Sequence, residues 1–202
     1  MKLIEPLSSA LLVTGCVYSA GVAQNSAFMR YFGVNPAFSQ PAIDKIFYDG
    51  GLITFELFVR HVTIACLFLF VSAIFVVGGV FVWSRLKRLP VRQGMSAVKS
   101  FAKIAYSYVV GLSGFASLLY LIALTFLSYE KAQVDGEKIA EAFVDTCHVV
   151  VIQKGADQIK GCAFNKDRDS IWYYTVVGDA PKTSSKLLSE LDQITYLDPQ
   201  EL

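Results

Sequence analysis

The sequence predicts a membrane all-α, three-helix transmembrane region followed by a small extracytoplasmic α+β domain with a three-stranded antiparallel sheet. Three observations support this prediction. No Asp or Glu occurs from Leu57 to Tyr129. Two uncharged runs lie in this stretch, Val62–Trp83 and Ile104–Ser128, and each exceeds the roughly 20 apolar residues needed to cross a bilayer. Thirteen of the seventeen acidic residues lie at or beyond Glu130, a segregation typical of a membrane core joined to a water-exposed domain.

We therefore expect a transmembrane region at 1–129 and an extracytoplasmic domain at 130–202. The predicted spans cover about 7–27, 58–83 and 104–128. The first is the least apolar, and three interpretations of it stay open: an uncleaved span, a signal peptide cleaved after small residues near Ala23, or a lipobox that makes Cys16 a lipidated N-terminus. All three leave the following segment on the outer side of the membrane.

The loop at 84–103 predicts the orientation of the chain. It holds six Lys or Arg residues and no acid, whereas two basic and two acidic residues balance in the outer segment at 24–55. Positive residues remain on the cytoplasmic side of short loops. We therefore expect a cytoplasmic N-terminus, an outer C-terminal domain, and contact with anionic lipid or a cytosolic protein through four residues of the basic loop: Arg85, Lys87, Arg88 and Arg92.

Small residues predict where the spans pack. Gly15, Ser19 and Ala23 recur at four-residue spacing in the first span, and such residues let helix backbones approach closely. At the outer end of the second span, Glu56 and Arg60 are four residues apart and are expected to form an ion pair.

The outer loop is rich in aromatic residues and contains a predicted amphipathic helix. Ser39 is its expected N-cap, with Pro41 in the first turn. Ile43, Ile46 and Phe47 share one face, and the helix is expected to end at 49–51, where two glycines follow an aspartate.

The segments YFGVNP at 31–36 and IDKIFYDG at 43–50 resemble the outer loops of small bacterial inner-membrane proteins. The resemblance covers this loop and the C-terminal domain. It implies a location in the bacterial inner membrane, with the C-terminal domain in the periplasm, and it does not imply an activity.

The outer domain shows period-two alternation, which predicts strands. We expect a helix from Glu137 capped by Asp135, strands at about 147–153, 158–164 and 170–178, and a polar hairpin tip at 165–169. After Pro181, a serine cap and four apolar residues predict a C-terminal helix: Leu187, Leu188, Leu191 and Ile194.

Two cysteines lie in this domain, on the oxidising side of the membrane. If the first hairpin pairs Gln153 with Ala156, Cys147 lies directly opposite Cys162. A domain of about 70 residues has a marginal core, so we expect a Cys147–Cys162 disulfide. Cys147 cannot act as a nucleophile with His148 as its base, because adjacent strand residues point to opposite faces.

The predicted function is a non-enzymatic, membrane-anchored interaction or sensor module with a periplasmic recognition domain, in an immunity or defence setting. Polar and aromatic residues near the hairpin tip are the candidate partner-binding set: Asp167, Arg168, Asp169, Trp172 and Tyr174. We expect membrane lipid and a protein partner or a second copy of the chain as partners, and neither nucleic acid nor a cofactor. No catalytic, metal-binding or nucleotide-binding pattern occurs. The alternative is a homo-oligomeric pore lined by small residues of the third span: Ser107, Gly111, Ser113 and Ser117.

Overall fold

The computed structural model of the protein describes residues 4–39, 41–86, 91–177 and 180–197. Three long helices come first: α1 (Ile4–Tyr31), α2 (Ile43–Leu86) and α3 (Val91–Thr146). Five strands follow: β1 (His148–Lys154), β2 (Asp157–Lys166), β3 (Ser170–Val177), β4 (Ala180–Leu187) and β5 (Gln193–Tyr196). Short 3₁₀ helices occur at Pro36–Phe38 and Leu188–Glu190.

Two helices of the described residues are long and apolar enough to cross a membrane, within Ile43–Gly79 and Gly114–Thr146. They contain most of the second and third predicted spans. The most apolar stretch of α2 is entirely unburied in the molecule, with Phe68 and Phe75 each 72% exposed. Helix α1 contains the first predicted span, but it is not one of these two helices, so the prediction of three spans exceeds this observation.

The helices are longer than the sequence analysis predicts. The expected amphipathic helix in the outer loop is the first part of α2, which continues through Gly50 and Gly51. Ser39 does not cap it, because its hydroxyl is bonded to the sheet. Likewise, α3 runs unbroken through Asp135, so the predicted cap there is wrong. The outer loop shrinks to 32–42, and much of the predicted basic loop is helical.

Helix α1 ends two residues before Gly33, which forms its C-terminal cap. Gly33 has a positive φ of 71°, its N–H donates to the carbonyl of Arg30, and the Val34 N–H donates to that of Met29. This is the Schellman arrangement. It turns the chain so that Met29 and Val34 join one apolar cluster beneath the sheet.

The three helices pack together at the end that carries the sheet. Their shared core holds seven buried residues: Cys16, Ala20, Ala23, Ile53, Leu57, Leu124 and Ala132. The contact face of α1 includes Ala23 as predicted, but toward the N-terminus it is shifted by one residue: Cys16 and Ala20 are buried, and a Cβ added at Gly15 would meet no atom within 4 Å. The close crossing is instead at Gly21 and Gly50, where a Cβ would overlap a carbonyl oxygen of the facing helix.

The sheet is antiparallel and has five strands in the order β4-β3-β2-β1-β5, rather than three. The predicted C-terminal helix is wrong: its residues form β4, a 3₁₀ turn and β5. Leu188, Leu191 and Ile194 are nevertheless packed as expected, against the sheet core around Ile152 and Tyr173. Spacing that suits a helix face also suits a turn and an edge strand whose apolar side chains lie on one face of the sheet.

Candidate functional site

The predicted partner-binding tip is attached to the helical region by a network of hydrogen bonds. Asp167 accepts from Trp172 Nε1 at 2.6 Å through one carboxylate oxygen, and from Ser39 Oγ at 3.0 Å and Asn165 Nδ2 at 3.2 Å through the other. Asn165 also donates to Ser39 at 3.1 Å. Ser39 is 2% exposed and belongs to the loop between α1 and α2. The carboxylate of Asp167 therefore joins the sheet to that loop.

The five candidate partner-binding residues thus divide into two groups. Asp167 and Trp172 are hydrogen-bonded to each other. Tyr174 is 6% exposed, and its hydroxyl donates to the Val144 carbonyl at 3.4 Å. Burial raises the pKa of Tyr174, and the nearby Asp145 carboxylate raises it further. Arg168 and Asp169 are exposed at the tip. Partner binding by these residues stays a prediction, and two of the five present their side chains to the surroundings.

Aromatic rings form the contact between the sheet and the helices. Phe32 stacks on Phe164 with ring centroids 4.0 Å apart and an interplanar angle of 11°. Phe28 meets Phe143 edge to face at 5.5 Å, and Tyr174 lies 5.7 Å from Phe32. Such pairs contribute about 0.5–1.5 kcal/mol each beyond area burial. One face of the sheet is therefore packed on α1 and α3.

The predicted Cys147–Cys162 disulfide is present, and it joins the residue that follows α3 to β2 rather than one strand to another. Cys147 and Cys162 are bonded, with their Cα atoms 5.1 Å apart. The predicted register is wrong by two residues, since Lys154 pairs with Asp157 and Cys162 faces Val149. A shift of two keeps every side chain on its face, so Cys147 lies diagonal to Cys162. The positive φ of 28° at Cys147, where the chain turns from α3 into β1, accompanies the close approach.

A chain of charges links α2 to α3. Lys131 lies 2.6 Å from Glu56 and 3.2 Å from Asp135. The predicted Glu56–Arg60 pair is thus replaced by a pair between helices, because α3 brings an ammonium group closer. Exposed ion pairs contribute about 0–1 kcal/mol, so these contacts add little to the stability of the fold.

A cavity of about 220 Å³ opens where the three helices meet the sheet. Its apolar wall includes Phe28, Phe143 and Phe164, and its polar lining includes Gln24, Lys45 and Asp49. Within the described part of the chain, the buried Gln24 Oε1 has no hydrogen-bond partner. Sequence reasoning missed this site because its polar residues lie on two helices whose juxtaposition depends on the fold. The unexplained charges of Lys45 and Asp49, one helical turn apart, were the signal available.

The basic loop is described only in part. Arg85 is exposed at the end of α2. Lys87 and Arg88 lie outside the described residues, as does the side chain of Arg92. Contact of these residues with lipid or a cytosolic protein stays a prediction.

Catalytic and metal chemistry receive no positive support from the described residues. No group of three or more His, Cys, Asp or Glu there is placed to hold a metal ion. A buried polar group does occur in the helix core, where Cys16 Sγ lies 3.8 Å from Ser128 Oγ and 3.9 Å from Thr54 Oγ1. These are weak sulfur contacts between helices, and the group includes no acid or base.

In comparisons with known proteins, no family model, no curated protein and no solved structure matches this chain. The functional argument therefore rests on the geometry of the molecule.

Proposed function

We propose that this chain is a non-enzymatic, membrane-anchored sensor or interaction module of the bacterial inner membrane. In this proposal, α1 and the apolar parts of α2 and α3 are three spans. The N-terminus is cytoplasmic, and the sheet is the periplasmic recognition domain. An immunity or defence setting remains part of the proposal.

The exposed apolar surface supports the anchor. Residues such as Phe68, Phe75 and Phe126 are each about 70% exposed, and a soluble monomer rarely presents so large a continuous apolar surface. Helix α2 has 44 residues and α3 has 56. At 1.5 Å per residue they measure about 66 and 84 Å, against roughly 30 Å of hydrocarbon. Their remaining lengths are available to carry the sheet above the membrane.

The observation that carries the proposal is the continuity of α3. This helix runs unbroken from Val91 to Thr146, and the next residue, Cys147, is covalently bonded to β2. The Asp167 network and the stacked Phe32 and Phe164 rings hold the same sheet to α1 and its loop. A movement of the sheet is therefore transmitted to the helices. A sensor needs such a connection between its outer domain and its spans.

Arg168 and Asp169 supply the proposed contact surface. Both are exposed at the β2–β3 tip, while Asp167 beside them is held by three side-chain donors. A charged surface on a fixed backbone loses little conformational freedom when a partner binds. The tip is thus suited to recognition by complementary charge.

Site-specific photo-crosslinking in intact cells tests this proposal. A photoreactive residue at Arg168 or Asp169 should give a discrete adduct, which mass spectrometry identifies as a partner protein or a second copy of the chain. The matched control is Asp157, an exposed acid at the β1–β2 turn. The proposal fails if neither tip position gives an adduct, or if Asp157 gives the same adducts in equal yield.

A homo-oligomeric pore is the second candidate. It is favoured by helix faces on which a Cβ added at Gly78, Gly79 or Gly114 would meet no atom within 4 Å, because small exposed faces permit close helix association. Of the four predicted pore-lining residues, Ser117 is exposed and donates to the Gly114 carbonyl. The side chains of Ser107 and Ser113 and the surroundings of Gly111 lie outside what the structure describes. Conductance of the purified protein in a planar bilayer tests this function directly.

A further inference from the structure

From the cavity between the helices and the sheet, we infer a binding site for a small zwitterion that carries an ammonium group, an anionic group and an apolar body. This inference deepens the proposed function, on which it rests for its role, by naming the class of ligand that the sensor would bind. The site is distinct from the exposed tip at Arg168 and Asp169.

The lining places both signs of charge at one opening. Lys45 and Asp49 lie one turn apart on α2 and both border the cavity. Neither forms a hydrogen bond or an ion pair within 4 Å with another residue that the structure describes. A ligand with a single charge would be attracted by one of these groups and repelled by the other. A zwitterion satisfies both, with its ammonium toward Asp49 and its anion toward Lys45.

The Gln24 amide adds a requirement for a hydrogen-bond donor. Its Oε1 atom is buried and has no donor among the described residues, and a buried acceptor left unpaired is destabilising. An ammonium group has three N–H donors. In the inferred complex, one of these donors bonds to the Asp49 carboxylate and another satisfies Gln24 Oε1.

The aromatic wall favours the same head group and accommodates an apolar body. Phe28, Phe143 and Phe164 line the cavity, and phenyl faces attract ammonium groups as well as hydrocarbon. The volume of about 220 Å³ is below the roughly 300–1,000 Å³ of pockets for drug-sized ligands. These features fit an α-amino acid with an apolar side chain. They also fit the aminoethyl phosphate head of a membrane lipid, which has the same pair of charges.

Titration calorimetry on the purified full-length protein in detergent tests the inference with L-leucine and L-phenylalanine. Phenethylamine, which lacks the anion, and 3-phenylpropionate, which lacks the ammonium, should each bind at least about tenfold more weakly than phenylalanine. The Asp49→Asn and Lys45→Gln variants should each weaken binding of the zwitterion at least about tenfold, because each loses a charge-assisted contact. The matched controls Asp44→Asn and Lys138→Gln change exposed charges outside the cavity lining and should leave the affinity unchanged.

A second arm separates the two sources of the zwitterion. The protein is placed in nanodiscs of phosphatidylglycerol alone or with phosphatidylethanolamine, and its thermal midpoint is measured. Stabilisation by phosphatidylethanolamine that Asp49→Asn and Lys45→Gln abolish, without binding of free amino acids, supports the inference with a lipid head as ligand. The inference is overturned if neither source gives an effect sensitive to both variants, or if phenethylamine binds as tightly as phenylalanine. Because binding is measured on purified protein, this failure would leave the crosslinking test of the tip unaffected, and loss of the tip adducts would leave the cavity intact.

Discussion

At the scale of single residues, Asp167 has a structural role that its position in a polar hairpin does not reveal. Its carboxylate accepts from three side chains, including the buried Ser39 of the first loop. The hairpin tip was predicted from its turn-forming residues. The attachment could not be predicted, because Ser39 is 128 residues away in the chain and no local pattern relates the two positions.

Replacing Asp167 should therefore loosen the sheet. We expect Asp167→Ala to lower the free energy of unfolding by about 2 kcal/mol, because Trp172 Nε1 and Asn165 Nδ2 lose a charged acceptor. The change is measured by thermal unfolding of the purified protein, followed by tryptophan fluorescence. The control is Asp169→Ala, which alters an exposed carboxylate at the same tip and should shift the midpoint little. Equal midpoints for the two variants would contradict this role for Asp167.

The buried phenol of Tyr173 should make the free energy of unfolding depend on pH in the alkaline range. Burial raises the pKa of its phenol, because a phenolate is poorly solvated inside the sheet core. The pKa in the folded state thus lies above the unfolded value of about 10. The contribution of the neutral phenol to stability is complete below that value, and it is lost as the pH rises through the folded-state pKa.

We expect Tyr173→Phe to reduce the loss of stability above about pH 10 and to change stability little at pH 7. Thermal midpoints measured from pH 7 to 11 check this. Tyr196→Phe is the matched control, since that ring is 60% exposed. A variant at Tyr173 that loses stability with pH as steeply as the original protein would rule out ionisation of this phenol as a cause.

At the scale of elements, the close crossing of α1 and α2 requires the absence of a side chain. A Cβ at Gly50 would overlap the Val17 carbonyl oxygen and lie 2.6 Å from Gly21 N, whereas a Cβ at the adjacent Gly51 would lie 3.9 Å from the nearest atom, Val17 Cγ1. The pair Gly50-Gly51 was predicted to end a helix. Glycines suit a helix end and a close helix contact equally, and the sequence alone does not distinguish these uses.

Alanine at the two positions should therefore have opposite effects. Gly50→Ala should destabilise the protein by about 1–3 kcal/mol, as overpacking does. Gly51→Ala should be neutral or stabilising by up to about 1 kcal/mol, because alanine favours the helix. Circular dichroism during thermal unfolding in detergent measures both effects. If Gly50→Ala is as stable as Gly51→Ala, the helices do not cross at this distance.

How well each strand was predicted depends on whether its own sequence or its pairing with a distant strand determines its structure. The first three strands were predicted within about two residues, because a run of Val and Ile residues marks β1 and aromatic residues mark β3. The fourth and fifth strands were missed because β4 contains Thr183, Ser184 and Ser185 and gains its conformation from pairing with β3. Likewise, Gln193–Tyr196 becomes a strand by pairing with β1. Pairing partners distant in sequence override weak local preference.

At the scale of the whole molecule, the packed core and the exposed apolar surface occupy different parts of the long helices. The core of the bundle and the sheet lie at one end, with buried residues such as Ala20, Leu124 and Ala132. The apolar residues from Val62 to Val82 on α2 are largely exposed. The composition predicted an apolar part and a polar part, and the location of the apolar part in a membrane stays a prediction. The composition did not predict that the two parts share helices, since continuity of α3 depends on the packing of residues beyond Tyr129 on α1.

The orientation of the molecule is the remaining prediction. The basic residues around Arg85 should hold the loop between α2 and α3 in the cytoplasm, which places the sheet on the opposite side. We expect a cysteine introduced at Ser185, an exposed position on β4, to react with a membrane-impermeant maleimide in cells whose outer membrane has been permeabilised. The free cysteines Cys16 and Cys66 are first replaced by alanine, so that the introduced thiol is the one that reports. A cysteine at Ser96, within the basic segment, is the matched control and should react only after the cells are lysed. The reverse pattern, with Ser96 labelled in intact cells and Ser185 protected, would place the sheet in the cytoplasm. That orientation would remove the oxidising environment in which the Cys147–Cys162 bond persists, so a non-reducing gel of the same samples provides an independent reading of the same conclusion.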